Sequence, residues 1–292
     1  MTAMKDEPET KLVALDLDGT LLDSDKRLSP RNRAALERAA AGGVWIVPTT
    51  GRFFGGMPAE IRELPFVRYA VTINGASVFD RAENRTVSTS AIPLRVALDV
   101  FEALSRFDVA AECYMDDWGW NSEETAAKAA EYAPDAHYAE MIRGLRTHVP
   151  DLAAHLRATG HDVQKILAFA KDPSLYGAVV SAVQQAAPGV LATASNPRLF
   201  EFNAAGAHKG AALARLAEHL GFGIENVMAF GDGLNDLTMV RDAGIGVAMA
   251  NAEPEVLAAA RETTLSNDED GVAVAMERHG LCLPRRTGAG AR

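Results

Sequence analysis

Cysteine is scarce in this sequence. Cys113 and Cys282 are the only two in 292 residues, far apart and in no metal-like spacing. That pattern excludes a disulfide scaffold and a zinc ribbon, and it reads as reduced thiols in a cytosolic protein. Of the seven histidines, His208 is expected to pack or hydrogen-bond beside Lys209, and the others form no metal spacing and are expected at the surface. No apolar stretch approaches membrane-spanning length. The opening residues, Met1 to Pro8, lack the apolar core of a secretory signal. A cytoplasmic protein is therefore expected. Basic residues are outnumbered, 29 Lys and Arg against 39 Asp and Glu, for a net charge of -10. Such a balance argues against nucleic acid or an anionic membrane as partner. The last residues, Arg285 to Arg292, are a short basic run that reads as a solvated end rather than a nucleic-acid arm. Internal repeats and low-complexity linkers are absent. Oligomeric state stays open.

What is present is a globular composition, 48% hydrophobic and 23% charged, enough for a proper core in one large or two ordinary domains. Four short segments stand out: Asp16-Leu17-Asp18-Gly19-Thr20, Thr49-Thr50-Gly51-Arg52, Lys209-Gly210, and Gly231-Asp232-Gly233-Leu234-Asn235-Asp236. The first follows the apolar run Val13-Ala14-Leu15. Strand alternation puts residues i and i+2 on one face, so Asp16 and Asp18 can address one reacting centre. Gly19 permits a sharp turn just there. Two adjacent carboxylates repel, and a cation or a shared proton must compensate. Their placement suits chemistry better than stability.

The first quarter alternates strand and helix. Leu12 to Leu17, Val44 to Val47 and Tyr69 to Ile73 read as strands, separated by a helix begun at Ser29-Pro30 and closed at Gly42-Gly43, and by a helical segment from Pro58 to Leu64. That rhythm implies a parallel sheet with right-handed crossovers, whose ligands sit beyond the carboxyl ends of the strands. Asp16, Thr50 and Asn74 fall at such ends. The rhythm resumes in the last third, with a helix from Lys209 to Leu220, a strand Val227 to Phe230, a short helix to Ala243, a strand Ile245 to Met249 and a helix Pro254 to Arg261. Between them lie a hairpin (Ala76 to Ile92), a helix (Leu94 to Arg106), strand-like runs at Ala110 to Met115, Gln164 to Ala170 and Val190 to Thr193, and the polar aromatic segment Asp116-Asp117-Trp118-Gly119-Trp120. The expected fold class is α/β: a Rossmann-like parallel-sheet core, residues 1–90 and 203–292, interrupted by an α+β cap domain, residues 91–202.

Asp232 ends a strand, as Asp16 does, and with Asp18 the three would gather hard oxygen ligands suited to Mg²⁺. Asp236, four residues on, can reach the same side. A lysine at a helix start is a poor dipole partner, so Lys209 points to an anion nearby. Thr50, before Gly51, is placed to offer a phosphate oxygen a hydroxyl and an amide. These are parts for phosphoryl transfer through an aspartyl-phosphate, in which one carboxylate attacks phosphorus and the other moves the proton.

In these motifs, and in Asn74-Gly75-Ala76, Val247 to Ala252 and Asn267 to Val272, the chain resembles the haloacid dehalogenase superfamily of phosphatases, in particular its Cof-like branch with a large cap. The resemblance implies a Mg²⁺-dependent phosphatase of small phosphorylated metabolites, sugar phosphates or similar. It implies Asp16 as nucleophile, Asp18 as acid and base, and Mg²⁺ on Asp16, the Asp18 backbone carbonyl and Asp232. Thr50, Gly51, Lys209 and Asn235 would hold phosphate, and Asp236 with Asn235 would orient the metal's surroundings. Ala250 replaces the usual glycine and His208 a small polar residue, neither at a catalytic position. Arg52 and Asn74 are possible substrate contacts, with a salt bridge the alternative for Arg52. Trp118 and Trp120 either line a substrate face or pack the cap's own core. Lys165 either faces the site or lies solvated on a strand edge. The rival functions are a phosphomutase of the same superfamily and a phosphoacceptor signalling module.

Overall fold

The computed structural model describes residues 9–282; the opening octapeptide and the basic tail lie outside the described residues. Strand β1 (Leu12–Leu15) is buried along its whole length, as a strand covered on both faces must be. Helix α1 (Pro30–Ala41) begins where the sequence indicates, for Ser29 Oγ accepts the Asn32 N–H at 3.0 Å and Pro30 takes the first helical position. Then come β2 (Trp45–Pro48), α2 (Ala59–Arg62), β3 (Tyr69–Thr72), β4 (Ser77–Asp80) and β5 (Arg85–Thr89). β3 does not simply extend the parallel sheet. It touches the end of β2 through one parallel bridge, Thr49 with Val71, and otherwise pairs antiparallel with β4.

The middle of the chain supplies α3 (Leu94–Leu104), β6 (Val109–Met115), β7 (Trp118–Ser122), α4 (Glu123–Tyr132), α5 (Ala136–Gly144), β8 (Thr147–Val149), α6 (Leu152–Thr159), β9 (Lys165–Ala170), α7 (Tyr176–Ala186), β10 (Val190–Asn196) and β11 (Leu199–Ala204). The return supplies α8 (Lys209–His219), β12 (Val227–Gly231), α9 (Leu237–Asp242), β13 (Ile245–Ala248), α10 (Pro254–Ala259), β14 (Glu262–Thr263) and α11 (Gly271–Arg278). The chain forms two compact units. Residues 9–50, 58–88 and 208–282 make one; residues 51–57 and 89–207 make the other.

The first unit holds a parallel sheet in the order β14-β13-β12-β1-β2. One core cluster joins Leu12 and Ala14 to Leu213 and Leu216 of α8, Met239 and Val240 of α9, and Val256 of α10. α1 packs against β2 and α11. The second unit holds a sheet in the order β10-β11-β9-β6-β7-β8, antiparallel except where β7 meets β8. Its core gathers Cys113, Ile166, Phe200 and Phe202 against α3, α6 and α7. The result is an α/β fold with a parallel-sheet core and a separate antiparallel-rich sheet. Among the described residues no helix is long and apolar enough to cross a membrane.

Candidate active site

β1 stops at Leu15, and the Asp16 N–H continues the ladder to Phe230 O at 3.1 Å. The carboxylate of Asp16 is therefore fixed at the carboxyl end of the sheet, with only 7% of the residue exposed. Lys209, fully buried at the first position of α8, donates to Asp16 Oδ1 at 2.6 Å and to Asp236 Oδ1 at 2.5 Å. His208 sets the start of that helix, its Nδ1 accepting the Ala211 N–H at 3.1 Å. Asp236 is placed by a 3-10 turn, Leu234–Asp236, and its Oδ2 accepts the N–H groups of Asp232 and Gly233, each at 3.0 Å. Thr20 Oγ1 donates to Asp232 Oδ1 at 2.6 Å.

One ammonium thus serves two carboxylates, Asp16 and Asp236. Burial pushes the Asp16 carboxyl up to about 8, helped by the charge of Asp236 and opposed by Lys209. Asp232 is also raised, chiefly by burial. Burial works against charge on Lys209 too, yet Asp16 and Asp236 outweigh it and hold the ammonium above its ordinary range. Oxygens of Asp16, Asp232 and Asp236 lie within 4.8 Å of one another, with no sulfur or imidazole among them. An all-oxygen set with carboxylate charge in excess fits a hard divalent cation such as Mg²⁺. Gly19 is required here. At φ +88° it lies so close that a Cβ would stand 2.4 Å from Asp232 Oδ2.

Asp18 departs from expectation. The strand has already ended, so alternation no longer applies, and its carboxylate lies 3.0 Å from Lys26 Nζ at the surface rather than in the cluster. Thr50 is 2% exposed, and its own N–H donates to Val71 O at 2.8 Å, which commits that amide to β3. Its carbonyl accepts the Asn74 N–H at 3.0 Å, and Asn235 Nδ2 donates to Asn74 Oδ1 at 3.2 Å. Thr50, Asn74 and Asn235 are thereby brought together.

Several groups went unread in the sequence. Asn251 Nδ2 donates to Gly19 O at 2.8 Å, Asn267 N–H to Asn251 Oδ1 at 3.1 Å, and Asn267 Nδ2 to Leu22 O at 3.0 Å, bracing the turn after β1. Thr20 lies in the first motif, and Asn251 and Asn267 lie in the stretches Val247 to Ala252 and Asn267 to Val272 that carry the resemblance, but their bonds across the fold could not be read there.

Gly51, Arg52, Trp118, Trp120 and Lys165 belong to the second unit. Arg52 Nη1 donates to Gly56 O at 3.4 Å. Trp118 is 38% exposed, edge-on to Phe53, with its Nε1 donating to Thr147 Oγ1 at 3.0 Å. Trp120 stacks on His155 at 4.4 Å and packs against the apolar core. Lys165 is not a solvated edge residue. It sits on the central strand β9, buried, with Nζ 2.8 Å from Glu201 Oε2. A second buried pair, Arg146 with Glu112 at 2.9 Å, went unforeseen, and its guanidinium covers the rings of Phe53 and Tyr114.

The family model for haloacid dehalogenase-like hydrolases matches residues 13–276. The chain belongs to that family, and is a hydrolase. A 5-amino-6-(5-phospho-D-ribitylamino)uracil phosphatase of Bacillus subtilis is 31% identical, over 96% of this chain and 99% of its own. A solved haloacid dehalogenase-like hydrolase from Bacteroides thetaiotaomicron has a TM-score of 0.78 at 29% identity, covering 93% of this chain and all, 100%, of its own. A solved subclass IIB sugar phosphatase of the superfamily has a TM-score of 0.74 at 26% identity, covering 93% of this chain and 100% of its own.

Proposed function

We propose that this hydrolase is a Mg²⁺-dependent phosphomonoesterase of small phosphorylated metabolites, working through an aspartyl-phosphate on Asp16. The observation that carries the reading is the buried Lys209 ammonium shared between Asp16 and Asp236 at the end of β1. A carboxylate so held keeps one orientation and has part of its charge neutralised, which is what attack on an anionic phosphate requires. Asp16 and Asp232, with the Asp18 carbonyl, would hold the metal, while Asp236 keeps Lys209 and two backbone amides in place. When bound, Mg²⁺ supplies positive charge that offsets the clustered carboxylates and the phosphate oxygens.

Asp16 Oδ attacks phosphorus as the ester oxygen leaves, and Asp18 delivers a proton to that oxygen. In the second half-reaction Asp18 takes a proton from water, which attacks phosphorus and frees Asp16. Asp18 leaves the first half-reaction as the carboxylate that the second requires, and its partly exposed position beside Lys26 supports that role by leaving it accessible to water. Thr50, Gly51, Lys209 and Asn235 would hold the phosphate. Arg52, Trp118, Trp120 and Lys165 of the second unit, and Asn74 of the first, are the candidates for contacts that choose the leaving group. Relatives named for a phosphoribitylaminouracil and for sugar phosphates support a small phosphorylated substrate.

The test is a panel of phosphorylated metabolites, including hexose 1- and 6-phosphates, offered to the purified protein with Mg²⁺. Release of inorganic phosphate is expected, and Asp16→Asn should abolish it. Interconversion of the hexose phosphates without release would identify a mutase. A long-lived acyl-phosphate that never turns over would identify a phosphoacceptor module.

A further inference from the structure

Between β3 and β4 the backbone passes through three successive left-handed residues, Ile73 (φ 53°), Asn74 (φ 54°) and Gly75 (φ 93°). Glycine and asparagine tolerate that region, but a β-branched isoleucine rarely enters it, and strain of this kind persists only where neighbours enforce it. The turn touches three parts of the candidate site. Asn74 N–H reaches Thr50 O, and Asn74 Oδ1 receives Asn235 Nδ2. Gly75 lies so tightly against the start of α8 that a Cβ would stand 2.3 Å from His208 O and 2.9 Å from Lys209 N.

Arg215 sits further along α8, the helix that Lys209 begins. Its Nη2 donates to Gly75 O at 3.1 Å and its Nε to Ser88 Oγ at 2.8 Å. Among the described residues no carboxylate forms an ion pair with it. The guanidinium is half-buried and borders a cavity of about 290 Å³ that Ser88, Glu218 and His219 also line. A cation without an acidic partner, bridging a carbonyl and a hydroxyl, serves geometry rather than charge balance.

We propose that Arg215 is a positioning residue for the reaction: it clamps the strained turn 73–75 onto the start of α8 and so keeps Thr50, Asn74 and Lys209 in one register. The proposal rests on reading Thr50 and Lys209 as phosphate-holding residues and Asn74 as a substrate contact. Two nitrogens of one rigid plane make the two bonds at once, and a lysine ammonium cannot reproduce that fork. Losing the clamp leaves Gly75 O without its charged donor and lets the turn relax away from Thr50 and Lys209.

The experiment measures kcat and KM for p-nitrophenyl phosphate, together with hydrogen exchange of residues 72–76, in the wild type, Arg215→Ala and Arg215→Lys. In both variants kcat should fall by about ten- to a hundredfold with KM little changed, the scale of one charge-assisted hydrogen bond expressed in the transition state. Exchange at 72–76 should quicken. The cavity leaves room for a free guanidinium, so millimolar methylguanidinium should restore both kcat and slow exchange in Arg215→Ala and do nothing to the wild type. Should Arg215→Ala fail to fold, Arg215→Lys carries the comparison alone. Wild-type kcat in a variant whose turn exchanges faster overturns the proposal, and so does a fall in kcat with exchange at 72–76 unchanged. A wild type that releases no phosphate would instead sink the phosphatase reading, and the exchange measurement would still decide the clamp.

Discussion

At the scale of single residues, the buried Lys209 decides most of the electrostatics. Replacing it with methionine would leave Asp16 and Asp236 facing each other without their shared cation. Breaking a buried pair this way typically destabilises by about 3–5 kcal/mol, so Lys209→Met should lose activity and melt markedly lower in a thermal scan. Asp16→Asn should behave differently. The amide keeps the shape of the side chain, its oxygen can still accept from Lys209, and Asp236 remains as the charged partner of the ammonium, so little stabilisation is removed. Turnover should vanish while the melting temperature stays near the wild type; appreciable p-nitrophenyl phosphate hydrolysis by Asp16→Asn would defeat the nucleophile assignment. These residues were legible because their chemistry is concentrated in short motifs. Asp18 was misjudged in geometry because alternation was carried past the point where the strand ends. Arg215 was not legible, and Asn251 and Asn267 were legible only as members of matching stretches, since each acts by reaching across the fold to a backbone carbonyl.

At the scale of elements, buried apolar runs and cap signals located the main strands and helices. Ser29 illustrates the strength of such a signal. Its Oγ both caps α1 and donates to Asp270 Oδ1 at 2.5 Å, just before α11. Ser29→Ala should therefore destabilise by about 1–2 kcal/mol, the upper part of the usual cap range, with kcat unchanged in the folded protein. Denaturant melts paired with initial rates would check both halves. Elements without a local signal escaped notice: β8, β11, α6 and α11 among them. β11 follows β10 after a tight turn, and a single sequence does not mark where one strand gives way to the next. The cost was the partner of Lys165, because Glu201 lies on β11. Turns also hid their use. Nothing in Thr72-Ile73-Asn74-Gly75 announces that an isoleucine will adopt positive φ.

At the scale of the whole molecule, two consequences follow from the division into a unit bearing the carboxylate cluster and a unit bearing the antiparallel-rich sheet. The first concerns the metal. Mg²⁺ bound among Asp16 and Asp232 should raise the melting temperature of EDTA-treated protein as well as restore activity, since a ligand that binds only the folded state stabilises it by mass action. Full activity in EDTA would count against the site. The second concerns the ion pair of Lys165 and Glu201, buried in the sheet of the second unit. Lys165→Ala would confuse two effects, a stranded buried carboxylate and a lost substrate contact. The double variant Lys165→Met, Glu201→Leu separates them, because replacing a buried pair by apolar groups of similar volume is often neutral or stabilising. The single variant Lys165→Met should be destabilised, and the double variant should recover much of that loss. If Lys165 helps choose substrate, the recovered double variant should still rank phosphorylated metabolites differently from the wild type, while hydrolysing p-nitrophenyl phosphate at a similar rate. An unchanged ranking in a stable double variant would assign the pair to the architecture of the sheet alone.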